Sequence, residues 1–245
     1  TRTLITFAQG ALRSHPYLFT EIEALQDEDR TRGTERFARA FEDHVAFTVS
    51  NAAGALFHNV TFGLFASAPQ NAGDTKVWWR ELARASRSFA LVADATVALL
   101  GGGLKVKQKI TGRMADALTE LYLLSSVLKR YDDDGRPKED LKVVDFCARN
   151  SLYRFDQALL GVLRNFPVRW AAWAMTPLVF PLGARRRPAS DAAGKAIVRA
   201  ALEPGAFRDR LTRHIFITDD PRDRLGVLDY TLAKAVACEE ADKKL

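Results

Sequence analysis

Cysteine is nearly absent. The chain has two, Cys147 and Cys238, in 245 residues, and they share no metal-type spacing. This excludes a C-x-x-C motif and a disulfide-stapled scaffold. Two small buried hydrophobes in a reducing, cytoplasmic setting are expected instead. Histidine is thin as well. His15, His44, His58 and His214 fall in four separate segments, which reads as helix-end or interface positions rather than bases or ligands. The motifs G-x-S-x-G, H-E-x-x-H and G-x-x-x-x-G-K-[ST] are missing, so no nucleophile elbow, zincin site or Walker loop is encoded. Period-two runs with hairpin dipeptides are scarce, which argues against a sheet. The longest apolar run, Trp170 to Leu182, is interrupted by Pro177 and Pro181. It falls short of the roughly 20 residues a spanning helix needs, so no transmembrane span is expected. No signal-peptide pattern is visible, and the chain opens at Thr1 without an initiator methionine, as a segment of a longer polypeptide would.

What is present is helical periodicity. Apolar residues recur at Ile110, Met114, Ala117, Leu118, Leu121, Leu124, Val127 and Leu128, in steps of three and four, and again from Val143 to Leu163. Breakers supply the boundaries. One helix runs from Thr1 to Ser14 and stops before His15-Pro16. An apolar pattern at Ile22–Gln26 precedes the polar stretch QDEDRTRGTE, and a long helix covers about Glu35 to Phe65. Asp74 or Thr75 caps the next helix, which ends at Gly101-Gly102-Gly103. Asp132 to Pro137 separates the following two, and shorter helices occupy Asp191–Leu202, Ala206–Thr212 and Pro221–Ala237. The fold class is all-α, an antiparallel helical bundle with shorter C-terminal helices.

Net charge is +6, with 36 basic against 30 acidic residues, so distribution matters more than the total. The Gly101 triplet joins two helices, not a strand and a helix, and reads as a helix-terminating turn. Asp132-Asp133-Asp134-Gly135 lacks the ligand spacing of a calcium loop and reads as a solvated turn. Asp94 and Asp116 sit on apolar helices as buried carboxylates for arginines such as Arg87 or Arg113. The tract from Gln157 to Ser190 differs. It holds no acidic residue, and it interleaves Arg164, Arg169, Arg185, Arg186 and Arg187 with Trp170, Trp173 and Phe180. Indoles beside guanidiniums suit a membrane interface or a partner surface. A core helix followed by a solvated basic loop explains the same residues. Nucleic acid is not expected, because basic residues elsewhere are evenly spread.

The opening TRTLITFAQGALRSHPYLFTEIEAL, the block SFALVADATVALLGG, the segment RMADALTELYLLSSVLKRYDDDGR and the later NFPVR resemble the C-terminal part of the long bacterial acyl-CoA dehydrogenases, in matching order. Thr1-Arg2, Gln9-Gly10-Ala11 and His15-Pro16-Tyr17 fill the family's places after its catalytic glutamate. By that resemblance the glutamate lies just before Thr1, outside the chain. Residues 1–14 are then the last helix of the dehydrogenase unit, and residues 15–245 its C-terminal helical extension. The resemblance implies an intact enzyme that binds FAD, mainly through residues outside this chain. It would oxidise fatty acyl-CoA to trans-2-enoyl-CoA in β-oxidation and pass electrons to an electron-transferring flavoprotein. No catalytic, flavin or metal residue maps here; Arg2 alone is placed to support the glutamate turn. The extension's implied roles are homodimer assembly and peripheral docking on the inner membrane. A helical membrane- or partner-binding module without an enzyme is the alternative.

Overall fold

The computed structural model describes residues 17–216, 218 and 222–242. The helix expected at Thr1–Ser14, with Arg2, lies outside them. Among the described residues there are nine α-helices and no strand: α1 Leu18–Leu25, α2 Arg30–Val60, α3 Lys76–Leu100, α4 Gln108–Asp133, α5 Leu141–Arg164, α6 Arg169–Val179, α7 Asp191–Leu202, α8 Ala206–Thr212 and α9 Arg224–Asp242.

The most extensive pairing is α4 with α5, followed by the α1–α2 hairpin and α2 with α3. The turn after α4 folds α5 back along it. Gly135 there has φ +81, and Arg136 follows at φ +59. That unusual conformation for a side-chain-bearing residue is held by Arg136 Nε on Asp132 Oδ1 at 2.8 Å. The core is built from the periodic positions: Met114, Leu124 and Leu128 of α4, Phe155, Leu159 and Leu163 of α5, Val92 of α3, and Phe166 just beyond α5 are all fully buried. Each contributes about 1.5–3 kcal/mol by removal from water.

Several boundaries differ from the sequence expectation: the long helix ends at Val60, not Phe65, and the last runs Arg224–Asp242, not Pro221–Ala237. The long helix starts at Arg30, not Glu35, because Asp29 Oδ1 accepts from the amides of Thr31 (3.0 Å) and Arg32 (3.3 Å). Gly33 then lets α1 close on α2, since a Cβ at that position would sit 2.6 Å from the Ala24 carbonyl oxygen. Thr75 takes the expected N-cap position of α3 but makes no side-chain cap bond; it closes a 3₁₀ turn, Gly73–Thr75, in which its Oγ1 donates to Ala72 O at 2.8 Å. At the other end of α3, Gly101 stops the helix at φ +44, ψ −126, a region that glycine alone tolerates well.

The segment Gly73–Lys105 is long and apolar enough, by length and composition, to cross a membrane. Its apolar face is the bundle's own core, with Leu82, Ala85, Leu91, Val92 and Val97 buried. Of the shorter C-terminal helices, α7 packs on α5 and α8 packs on α7. Arg210 of α8 reaches Asp140 at 2.6 Å and Glu139 at 2.7 Å ahead of α5.

Candidate functional site

Helix α6 sorts the arginine–tryptophan tract into an inside and an outside. Ala171, Ala172, Met175 and Val179 face the core, which turns Trp170 and Trp173 outward at 64% and 69% exposure. Arg164 and Arg169 are exposed beside them, and Arg169 Nη1 donates to the Arg164 carbonyl at 2.8 Å at the α5 terminus. Arg185 and Arg187 are exposed beyond the far end of α6, about 16 Å away along the helix. The other two residues of the expected surface are corrected by the structure. Phe180 packs against the core, and Arg186 turns inward to 15% side-chain exposure.

Arg186 is the centre of a buried polar lattice. Its Nη2 and Nε donate to Glu81 Oε2 at 2.8 and 3.1 Å, and its Nη1 to Asp156 Oδ1 at 2.5 Å. Arg84 Nη1 meets the other Glu81 oxygen at 3.0 Å, and its Nε donates to Asn59 Oδ1 at 2.9 Å. Asn59 Nδ2 donates in turn to Ser88 Oγ and to the Leu178 carbonyl. Helices α2, α3, α5 and α6 and the strap after α6 are thereby tied together, with two guanidiniums against two carboxylates. Burial pushes the Asp156 carboxyl up despite Arg186 and Arg84. Burial and the nearby Arg186 charge pull Arg84 down. A pocket of about 290 Å³ opens beside the lattice between Phe62, Leu182 and Arg185, and Arg84 and Arg186 at its wall are already matched by Glu81 and Asp156.

A second polar centre holds α1, α2 and α3 together. His44 Nδ1 lies 2.8 Å from Glu21 Oε1, and its Nε2 lies 2.8 Å from Asp94 Oδ1. Thr48 Oγ1 donates to the other Asp94 oxygen at 2.5 Å, and Tyr17 stacks on the imidazole. Burial lowers the imidazole pKa, but hydrogen bonding to Asp94 and Glu21, with their negative charge, outweighs it and the net shift is upward. Asp94 is thus buried as expected, with a histidine and a threonine where an arginine was anticipated. Asp116 is exposed, not buried, because it falls on the outer face of α4.

The remaining polar candidates are structural. His58 is held neutral by burial and by Arg87. His214 is exposed beside Arg213. The three aspartates of the α4–α5 turn pair with Arg136, with Lys129, and with Arg130 and Arg213.

One surface escaped the sequence reading. Along α2, Phe41, Val45, Val49, Leu56 and Val60 are exposed in line with the partly buried Ala52. A readable signal existed: from Val45 to Gly73 the chain has no Asp, Glu, Lys or Arg. Periodicity alone does not tell an outward apolar stripe from a core-facing one on a helix.

The fold and its polar centres define an all-α structural bundle, with no grouping of nucleophile, base and acid among the described residues. A sequence model of the family described as "Acyl-CoA dehydrogenase, C-terminal, bacterial type" matches residues 12–245. The chain belongs to this family, which places it with oxidoreductases acting on acyl-CoA. No solved structure matches it.

The family implies FAD, and the described residues do not fit it. A dinucleotide site needs a cleft with free donors at the pyrophosphate. The Gly101–Gly103 turn has nothing within 4 Å of its Cβ directions, so it forms no cradle. A depression of about 590 Å³ between Trp79, Ser125 and Arg213 is an open groove whose Lys129, Arg130 and Arg213 are paired to Asp133 and Asp134.

Proposed function

We propose that this chain is the non-catalytic helical part of an FAD-dependent dehydrogenase that oxidises fatty acyl-CoA to trans-2-enoyl-CoA in β-oxidation, with an electron-transferring flavoprotein as electron acceptor. The catalytic glutamate and the flavin site belong to sequence outside this chain, and no reaction step is assigned to its residues. Its own work is assembly of a homodimer and peripheral docking of the enzyme on the cytoplasmic face of the inner membrane.

The observation that carries the docking role is the outward pair Trp170 and Trp173 beside Arg164 and Arg169, in a tract without an acidic residue. Indole rings settle at headgroup depth and guanidiniums meet lipid phosphates. Vesicle flotation of the intact polypeptide tests it. Binding to anionic vesicles that weakens with salt, and is lost in Trp170→Ala/Trp173→Ala, is the expected result. Equal flotation of that variant, or none by the parent, would overturn the docking role. The second reading is a membrane- or partner-binding module with no enzyme attached, which the same outward Trp170 and Trp173 would serve. A flavin-free polypeptide that still floats would select it.

A further inference from the structure

We infer that the exposed apolar stripe of α2 is the seam by which two copies of the polypeptide pair, antiparallel, about a two-fold axis. This names the interface of the dimer proposed above and rests on that reading.

Phe41, Val45, Val49, Ala52, Leu56 and Val60 follow one another in steps of 4, 4, 3, 4 and 4, the spacing of an apolar stripe that winds slowly along one side of a helix. It lies beside the face that α2 buries through His44, Asn51, Ala55 and Asn59, so α2 has two working faces and the bundle covers only one. The stripe runs about 28 Å, and its large side chains are 38–62% exposed. Phe57 adjoins it, with the Phe65 ring tilted against it at 5.6 Å between centroids. At roughly half of ~150–250 Å² for each of Phe41, Phe57 and Phe65, and somewhat less for each valine and leucine, these residues present about 600 Å² of apolar surface. That reaches the top of the ~300–600 Å² range for the largest patch on a monomer. Two such surfaces together supply roughly the ~1,200 Å² at which specific interfaces begin.

Charge selects the occupant and the direction. Glu42 and Asp43 are exposed next to Phe41 and would repel an anionic bilayer. From Val45 to Gly73 the chain itself carries no charged residue, so along this stretch of α2 the stripe presents no charge of its own to a second copy. The first half of α2, Arg30 to Asp43, is densely charged. A parallel pair would lay those charges against their own likenesses. An antiparallel pair sets Phe41 of one copy on Val60 of the other and Val45 on Leu56, and carries each charged half past the partner's uncharged loop. The contact is then isologous and closes at two copies. The small Ala52 and Ala53 near its centre permit the close approach of packed helices. Beside the stripe, a depression of about 240 Å³ between Phe41, Val45 and Ala98 gives a partner side chain somewhere to enter.

Sedimentation velocity of the intact polypeptide tests this. The parent should sediment as a dimer at micromolar concentration. Val49→Glu and Val49→Lys, at an exposed site, should each be folded monomers, with dimer dissociation constants raised by about a hundredfold or more through like-charge juxtaposition. An equimolar mixture of the two variants should regain the dimer, which a merely unfolded variant cannot do. If the parent is a dimer and both variants remain dimeric, or the mixture fails to re-pair, the seam is overturned while the dimer reading stands. A monomeric parent would overturn both.

Discussion

Replacing Arg186 by methionine removes the cation from two carboxylates that the fold has taken out of water. Asp156 keeps 5% of its side-chain surface and Glu81 16%. Breaking a buried pair by deleting one partner costs about 3–5 kcal/mol. Arg84 remains on Glu81 at 3.0 Å, so the uncompensated charge is essentially that of Asp156, and the lower end, about 3 kcal/mol, applies. For a chain of this length that is a fall of roughly 6–12 °C in melting temperature. The pH dependence follows from the direction of the Asp156 shift. Its folded carboxyl already titrates above its ordinary value because of burial, and losing Arg186 moves it further up. The folded state therefore holds a proton that the unfolded state has released, and stability rises as pH falls through that interval. Urea unfolding of the intact polypeptide should show the deficit shrinking as pH falls from neutrality toward the ordinary carboxylate range. Adding Asp156→Asn to the variant should recover part of it. A deficit under about 1 kcal/mol, or one unchanged across that range, would refute the lattice as described.

Three further outcomes are expected. His44→Leu leaves Glu21 and Asp94 buried without their shared partner and should cost about 3–5 kcal/mol in urea unfolding. In the parent, His44 titrates above its ordinary value. Its contribution is therefore complete below the unfolded histidine pKa and is lost as pH rises through the folded one, a slope that His44→Leu should abolish. Gly33→Ala forces a Cβ to 2.6 Å from a backbone oxygen and should destabilise by about 1–3 kcal/mol by thermal melting, through strain at the α1–α2 contact. Trp170→Ala/Trp173→Ala should leave the melting curve within about 0.5 kcal/mol of the parent at each site, so that any loss of flotation reports docking and not unfolding.

The helices were legible because their periodic positions are also their buried ones: Leu121, Leu124 and Leu128 read as one face of α4 and are one face. The short helices Asp191–Leu202 and Ala206–Thr212 fall where the sequence puts them, since Ser190 caps the first and Gly205, at φ +153, breaks the chain before the second. The start of α2 was hidden because its first turn is entirely polar and Asp29 acts by geometry that composition does not reveal. Arg186 could not be told from Arg185 and Arg187 by sequence. Three consecutive arginines on a strap share one environment until the strap's path decides which of them faces Glu81 and Asp156. His44 was undervalued for a related reason, since its partners lie 23 and 50 residues away.

The measurement that bears most directly on the account is the absorbance of the intact purified polypeptide before and after addition of palmitoyl-CoA. A bound flavin band that bleaches on mixing is the predicted result. A colourless protein, inert to acyl-CoA even with FAD supplied, would contradict the dehydrogenase assignment and leave a helical membrane- or partner-binding module.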